Sequence, residues 1–513
     1  IRSDAETTAS VRVATPATQQ GTRLTGETST YELVAVPVEA NTNGGSKTAV
    51  GVRPPDAWME HFVREAPFEV AEVLVPTERI ELSAGVTHAA LVDVSVGRDA
   101  RPGLYAGEII VSGGAGPAHV PLQIRIHDVA MPEHHALHSH IWLFPEPHNL
   151  TGGEPPQWWS EAHWRLLDST ARELARFGQD TILTPLIDYE EPLIQVIREA
   201  DGSFSFDYTR FDRWVRLFRR HGFRLFAGHH IATLPEPWVY GPVHVLDRET
   251  GERQVLFERG RGTQAWLTFI PTFYEDLHRH LSERGWLSLY IQHQLDEPRD
   301  GEVYRALAAL AREHLPGVRT IDAINSRPEV FSPLVDMQVF ALTILADNRE
   351  LAAQRREQGQ SVWLYHCCSP PPPYPNRHLD ERLSNSRLYP WLAHLLEADG
   401  YLYWGANVYR GADPYETSIG PVPGGSQDPG HPPGDNWLFY PGPDGLRGSL
   451  RQVAFRDGMI DHTLLTMLAG REPGRAGRIM RGVARSIRHY ATQPQAYHRA
   501  RRHLLVALEA GDR

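Results

Sequence analysis

The chain has 513 residues, 41% of them hydrophobic and 22% charged, the balance of a globular protein with a sizeable core rather than of a disordered or fibrous one. Its 51 basic and 63 acidic side chains leave a formal charge of −12, which argues against nucleic acid or an anionic membrane as partner. No apolar run approaches the roughly 20 residues that a membrane-spanning helix needs, and a prior of about 150 residues per domain allows about three domains.

Residues 1–132 read as β-structure. Short runs rich in Val and Ile occur at 31–36, 72–75, 89–96, 108–111 and 120–126. The first two are stopped by Pro37 and Pro76, and turn signals at Arg101-Pro102-Gly103 and in the glycine-rich stretch 113–116 separate the last three. With no helical period between them, they predict a β-sandwich domain that ends near Met131-Pro132.

From about residue 138 the texture changes to strand-like runs alternating with helical ones, the pattern of a parallel sheet built from βα units. Candidate strands lie at 140–144, 181–184, 224–228, 287–291, 318–322, 337–340, 362–365 and 400–404. Eight is the number a (β/α)8 TIM barrel needs, and residues 133–445 are assigned to it. Helices are expected at 164–177, where Leu166, Leu167, Ala171, Leu174 and Ala175 recur with helical spacing, and at 303–315. Residues 415–445, rich in Gly, Pro and Asp, predict a long loop near the barrel mouth. Residues 446–513 form a helical C-terminal segment whose arginines, Arg475, Arg478, Arg481, Arg485 and Arg488, read as a solvated face.

On this layout Asp296-Glu297-Pro298 falls just past the fourth strand, at the barrel end where active sites are built. Taken alone, the triplet could merely start a helix, since acids are favourable in a first turn. At a strand end the two carboxyl groups become a candidate acid/base pair. Glycosidases usually draw two carboxyl groups from separate elements, roughly 5–9.5 Å apart. Adjacent acids suggest instead that the substrate supplies its own nucleophile, with one acid protonating the leaving group and the other steadying the substrate. Burial and mutual repulsion would raise a proton affinity within the pair, and the expected division is Asp296 ionised and Glu297 protonated.

Trp142, Asp188, His229, His230, Asn325, Tyr365, His366, Trp404 and Asn407 all fall near or after strand ends. Aromatic faces with polar tips suit a sugar, which has an apolar face and a rim of hydroxyls. Trp142, Asn325, Tyr365, His366, Trp404 and Asn407 are the candidate substrate-binding residues.

Other chemistries find less support. His134, His135, His138 and His140 cluster, as do His229 and His230, but no H-E-x-x-H helix or carboxylate-rich spacing completes a metal site. There is no G-x-S-x-G elbow, and Gly424-Gly425 is not followed by a phosphate-binding Lys. The two cysteines, Cys367 and Cys368, are adjacent, which gives neither a disulfide framework nor a zinc site. The first residue, Ile1, suggests a processed or trimmed form, so secreted and cytoplasmic bacterial enzymes both fit.

Several segments carry a family resemblance. They are Arg101-Pro102-Gly103-Leu104-Tyr105-Ala106-Gly107, Arg284-Gly285-Trp286 leading into Asp296-Glu297-Pro298, and Val362-Trp363-Leu364-Tyr365-His366-Cys367-Cys368. Tyr374-Pro375-Asn376 and Asp399-Gly400-Tyr401-Leu402-Tyr403-Trp404-Gly405-Ala406-Asn407 follow. The set closes with Gly434-Asp435-Asn436-Trp437-Leu438-Phe439-Tyr440-Pro441-Gly442, Ser449-Leu450-Arg451 and Arg456-Asp457-Gly458. In order and spacing the chain resembles glycoside hydrolase family 123 over most of its length. The resemblance implies a β-sandwich followed by a catalytic (β/α)8 barrel. It implies an exo-acting, retaining β-N-acetylgalactosaminidase with Glu297 as acid/base and Asp296 orienting the 2-acetamido group, without metal or organic cofactor. The partner would be a glycan or glycoconjugate, with room for a homo-oligomer. Two alternatives stay open: a barrel glycosidase for another sugar with a separate nucleophile, Asp188 or Asp322, and a non-catalytic carbohydrate-binding protein.

Overall fold

The computed structural model describes residues 1–113, 116–232, 242–258, 263–422 and 429–510. The N-terminal region forms two antiparallel sheets. Phe68–Pro76, Thr28–Val38 and Ala89–Val94 make a three-stranded sheet in that order, and Arg79–Leu82, Thr7–Ala17, Gly103–Ser112 and Ala118–Ile126 make a four-stranded one. Val11, Ile80 and Leu82 are buried in a small core with Ala9. Thr28–Val38 runs through Pro37, where the sequence predicts a stop. Its pairing with Ala89–Val94 ends at Leu33, so beyond that point only one edge is laddered and a missing N–H is tolerated.

Eight parallel strands close a barrel in chain order. They are His138–Ile141, Thr181–Thr184, Leu225–Gly228, Tyr290–Gln292, Arg319–Ile324, Met337–Ala341, Ser361–Tyr365 and Gly400–Tyr403. Each overlaps a predicted run, although the first, expected at 140–144, ends at Ile141, and Leu287–Leu289, expected as strand, is a 3-10 turn leading into the fourth. The strand period of two divides the side chains. Leu183, Ala227, Ile291, Ile321, Ala323, Val339, Trp363 and Leu402 fill the barrel interior. Ile141, Ile182, Phe226, Ile324, Leu364, Tyr401 and Tyr403 pack outward in the large core shared with the helices.

The helices follow their sequence signals. Ser160 caps Glu161–Arg176 by accepting from His163 N, and the helix buries Trp164, Leu167, Ala171 and Leu174. Ser449 caps Leu450–Arg471, which packs on Ser384–Leu395 as the helix following the eighth strand. Between the second strand and Thr263–Arg284 lies a small four-stranded sheet, Gln195–Arg198, Phe204–Asp207, Val243–Asp247 and Arg253–Phe257, that the sequence pattern does not announce. The long loop after the eighth strand is stapled to the sandwich: Thr48 and Gly430 exchange backbone hydrogen bonds, and Ser418 donates to Glu39. Residues 423–428 of that loop, including Gly424 and Gly425, lie outside the described residues. No helix among the described residues is long and apolar enough to cross a membrane.

Candidate active site

Asp296 and Glu297 lie just beyond the fourth barrel strand, half-buried. They do not begin the next helix. Asp300 does that, accepting from the amides of Glu302 and Val303. The simple capping reading of the triplet therefore gives way to a strand-end position. Glu297 adopts φ +45, the left-handed region that a non-glycine residue enters at a cost of about 1–3 kcal/mol. Such strain persists only where the surroundings impose it. Here the Tyr365 hydroxyl, at the end of the seventh strand, donates to Glu297 Oε1.

The backbone entering the pair is held from below. Asp322, fully buried, accepts from Gln294 N at 3.1 Å, from Leu295 N at 3.5 Å and from the Tyr304 hydroxyl, and its Oδ1 lies 3.2 Å from His293 Nδ1. Ala232 and Leu295 form a further parallel bridge that extends the third and fourth strands toward the mouth. Burial raises the Asp322 proton affinity, opposed by the hydrogen bonds from Tyr304, Gln294 and Leu295. Burial also raises that of Asp296 well above the ordinary carboxylate range, reinforced by the charges of Glu297 and Asp322. Asp296 thus holds its proton more tightly than an exposed carboxyl group does.

Beneath the mouth, Trp142 forms an aromatic cluster with His140, His230 and His293. Trp142 Nε1 donates to His140 Nε2 at 3.1 Å, and the His230 and His293 rings lie 4.4 Å apart. Burial keeps these histidines neutral, with His140 and His230 held well below their ordinary range and His293 lowered to about 3. His230, His293 and Asp322 bring potential ligand atoms within 4.8 Å of one another. The Asp322 oxygens are already engaged by Tyr304, two backbone amides and His293, and His230 Nε2 lies 3.9 Å from Asp322 Oδ1.

The remaining candidates separate by strand parity. Tyr365 faces inward, and Trp404 packs against the interior cluster while its Nε1 donates to Asp435 Oδ2 at 3.1 Å. Asn325, half-buried, shares the parity of Ile321 and Ala323. His366 does not belong to the mouth. It is buried against the Tyr389 ring at 3.8 Å, and its Nε2 lies 2.9 Å from the Tyr401 hydroxyl, in the layer between barrel and helices. Its neighbour Tyr365 points inward, so His366 must point out. Asn407 is also spent on structure: its Oδ1 accepts from Phe144 N, and its Nδ2 donates to the carbonyls of Phe144 and Asn149. Neither side chain is placed to hold a sugar.

The sequence reading missed Asp322 as an organiser of the 293–295 turn, having considered it only as a separate nucleophile. Full burial and four donors make it a poor nucleophile. It also missed Glu146, half-buried, its proton affinity raised by desolvation, and accepting from Asn149 Nδ2 at 3.2 Å. Glu146 lines a cleft of about 470 Å³ with Phe144, Trp158, Asp188, Tyr189 and Arg410. No local motif marks Asp322, because its partners lie 18 to 29 residues away in sequence.

The model of the glycoside hydrolase 123 catalytic domain matches residues 155–468, more than half of the chain. A solved family 123 glycoside hydrolase from Clostridium perfringens, described for glycolipid glycan hydrolysis, superposes with a TM-score of 0.72 at 15% identity, covering 99% of this chain and 90% of that one. A β-glucuronidase from an uncultured Clostridium species gives a TM-score of 0.36 at 7% identity over 89% of this chain and 64% of its own. One from Dictyoglomus thermophilum gives 0.36 at 10% identity over 88% and 68%. None of the curated proteins matches the chain.

Proposed function

Since the chain belongs to glycoside hydrolase family 123, we propose that it removes terminal β-linked N-acetylgalactosamine with retention of configuration, using the substrate's own acetamido group as nucleophile. The observation that carries this reading is the consecutive pair Asp296-Glu297 at the barrel mouth, with Glu297 held in a strained turn by the Tyr365 hydroxyl. Glycolipid glycan hydrolysis by the Clostridium perfringens relative agrees with an amino-sugar glycoconjugate as substrate.

The Glu297 carboxyl donates its proton to the glycosidic oxygen as the bond to the anomeric carbon breaks. The acetamido carbonyl oxygen forms the new bond to that carbon, giving an oxazoline-type intermediate, while Asp296 accepts a hydrogen bond from the acetamido N–H. That donor favours the Asp296 anion, opposing the burial that raises its proton affinity in the free protein. The pair then behaves as one coupled unit, with the transferable proton on Glu297. Glu297 next takes a proton from water, which opens the ring from the same face, and two inversions give net retention. Trp404 supplies an aromatic face for the sugar, and Asn325 a polar contact at its rim.

The test is nitrophenol release from the β-N-acetylgalactosaminide, the β-N-acetylglucosaminide and the β-galactoside, by wild type and Glu297→Gln, with a thiazoline mimic of the intermediate as inhibitor. Turnover of the first substrate alone, lost in the variant and blocked by the thiazoline, supports the proposal. Turnover that the thiazoline leaves untouched points to a separate carboxylate nucleophile, for which Asp188, which lines the cleft with Glu146, is the candidate.

A further inference from the structure

Arginine is concentrated in the C-terminal segment. Between residues 471 and 503 the sequence holds nine arginines and a single acid, Glu472, in a chain whose overall charge is −12. Two helices, Pro473–Val483 and Pro494–Ala510, pack on one another and on Leu450–Arg471, on the outer flank of the barrel. Between them opens a cleft of about 470 Å³, lined by Arg475, Arg478, Ile479, Gly482, Arg499 and His503 among others.

Fold stability does not account for this charge. Arg475 pairs with Glu472, and Arg501 with Asp457 and Asp461. Arg478, Arg481, Arg485, Arg499 and Arg502 form no ion pair among the described residues, and all five are exposed. Arg475, Arg478 and Arg481 follow one another at three-residue spacing on one helix, where like charges repel. Of these three, only Arg475 has an acid beside it, Glu472.

We propose that this cleft binds a sulfated or otherwise polyanionic oligosaccharide chain, separately from the sugar that enters the barrel. Arg475 and Arg478 lie about 4.5 Å apart along one helix axis, and Arg499 and His503 about 6 Å apart along the other. Arg475 and Arg478 on one wall, with Arg499 on the other, suit a linear polymer with a charge on successive units. Guanidinium groups hold sulfate and carboxylate in bidentate, charge-assisted pairs. The concave shape favours a chain over a flat lipid surface. The lining residues include no Phe, Tyr or Trp on which successive bases of a nucleic acid would stack, and His503 is their single ring.

The experiment is calorimetric titration of a sulfated hexasaccharide from heparin into the full chain, at salt on the order of 0.05 and 0.5 M. The same chain after desulfation, duplex DNA and phosphatidylserine vesicles serve as competing ligands. The expected result is saturable binding at low salt, lost at high salt, and weakened about tenfold or more in Arg478→Glu/Arg499→Glu with an unchanged melting temperature. Three outcomes overturn the proposal: no binding, equal affinity of the folded double variant, or tighter binding to the desulfated chain, DNA or vesicles. Since the readout is binding, it stands or falls independently of the reaction at Asp296 and Glu297.

Discussion

The Tyr365 hydroxyl donates to Glu297 Oε1 across the barrel mouth, joining the end of the seventh strand to the turn beyond the fourth. Burial and the adjacent Glu297 charge raise the Tyr365 proton affinity well above the ordinary phenol range, so the hydroxyl remains a donor throughout the working pH range. Its partner sits at φ +45, a conformation with little intrinsic preference. Tyr365→Phe keeps the ring and removes the donor. A hydrogen bond to a charged group is worth about 1.5–3 kcal/mol, so kcat should fall about 10- to 100-fold with KM little changed. Steady-state kinetics on the nitrophenyl glycoside checks this, and an unchanged kcat would show that the bond does not set the geometry of Glu297.

The raised proton affinity of Asp296 makes a stability prediction. The unfolded chain releases this proton near pH 3.9, whereas the folded chain keeps it to higher pH. Its contribution is therefore most favourable to folding below pH 3.9 and diminishes as pH rises through the folded value. Asp296→Asn removes the ionisation. The variant should gain about 0.5–2 kcal/mol at pH 8, converge with wild type near pH 4, and lose N-acetylhexosaminide turnover. Melting curves across that range decide it: a variant no more stable at pH 8 than at pH 4, relative to wild type, contradicts the burial argument.

Much of the scaffold is legible in the sequence, because strand runs such as Thr181–Thr184 and Met337–Ala341 are apolar on both faces and flanked by helical periods. The pair Asp296-Glu297 is legible for the same reason, as a polar interruption at a strand end. What sequence leaves hidden is orientation. Tyr365 and His366 are adjacent and equally attractive as ligands, yet strand parity sends one to the mouth and the other against Tyr389. Asn407 follows the eighth strand as a ligand would, but backbone groups of the first βα loop consume its amide. Thr7–Ala17 escapes because its Thr, Ser and Ala residues carry little hydrophobic signal and their burial depends on partners about 100 residues away.

Asn407 thus becomes a latch rather than a ligand. Asn407→Ala leaves the Phe144 amide and the Phe144 and Asn149 carbonyls without this partner. A loss of about 1–3 kcal/mol in stability is expected, from denaturant titration. A direct sugar contact would instead appear as a raised KM at unchanged stability.

Asp322→Asn tests the turn beneath Asp296 and Glu297. Asparagine matches the shape but offers one carbonyl oxygen where Tyr304, Gln294 and Leu295 now donate to two carboxylate oxygens. Breaking a buried network of this kind should cost about 1–3 kcal/mol and lower kcat through the position of Asp296 and Glu297. If Asp322 were the nucleophile, turnover would vanish while azide or another small external nucleophile restored it. A positioning residue shows no such rescue.

A chain of contacts runs from the sandwich to Trp404, the proposed sugar platform. Glu72, on the strand Phe68–Pro76, pairs with Arg451 Nε at 2.6 Å, and both are buried. Arg451 in turn donates to the carbonyls of Gly434 at 2.7 Å and Trp437 at 2.9 Å, which bracket Asp435, and Asp435 holds the indole of Trp404. Removing one partner of a buried ion pair strands the other charge, at about 3–5 kcal/mol. Glu72→Gln should therefore lower the melting temperature markedly. At temperatures where the variant remains folded, loosening of the 434–437 turn should raise KM through Trp404 more than it lowers kcat, because Asp296 and Glu297 are held by other elements. Equal loss in both constants would place the Glu72–Arg451 pair in the support of the catalytic acids instead.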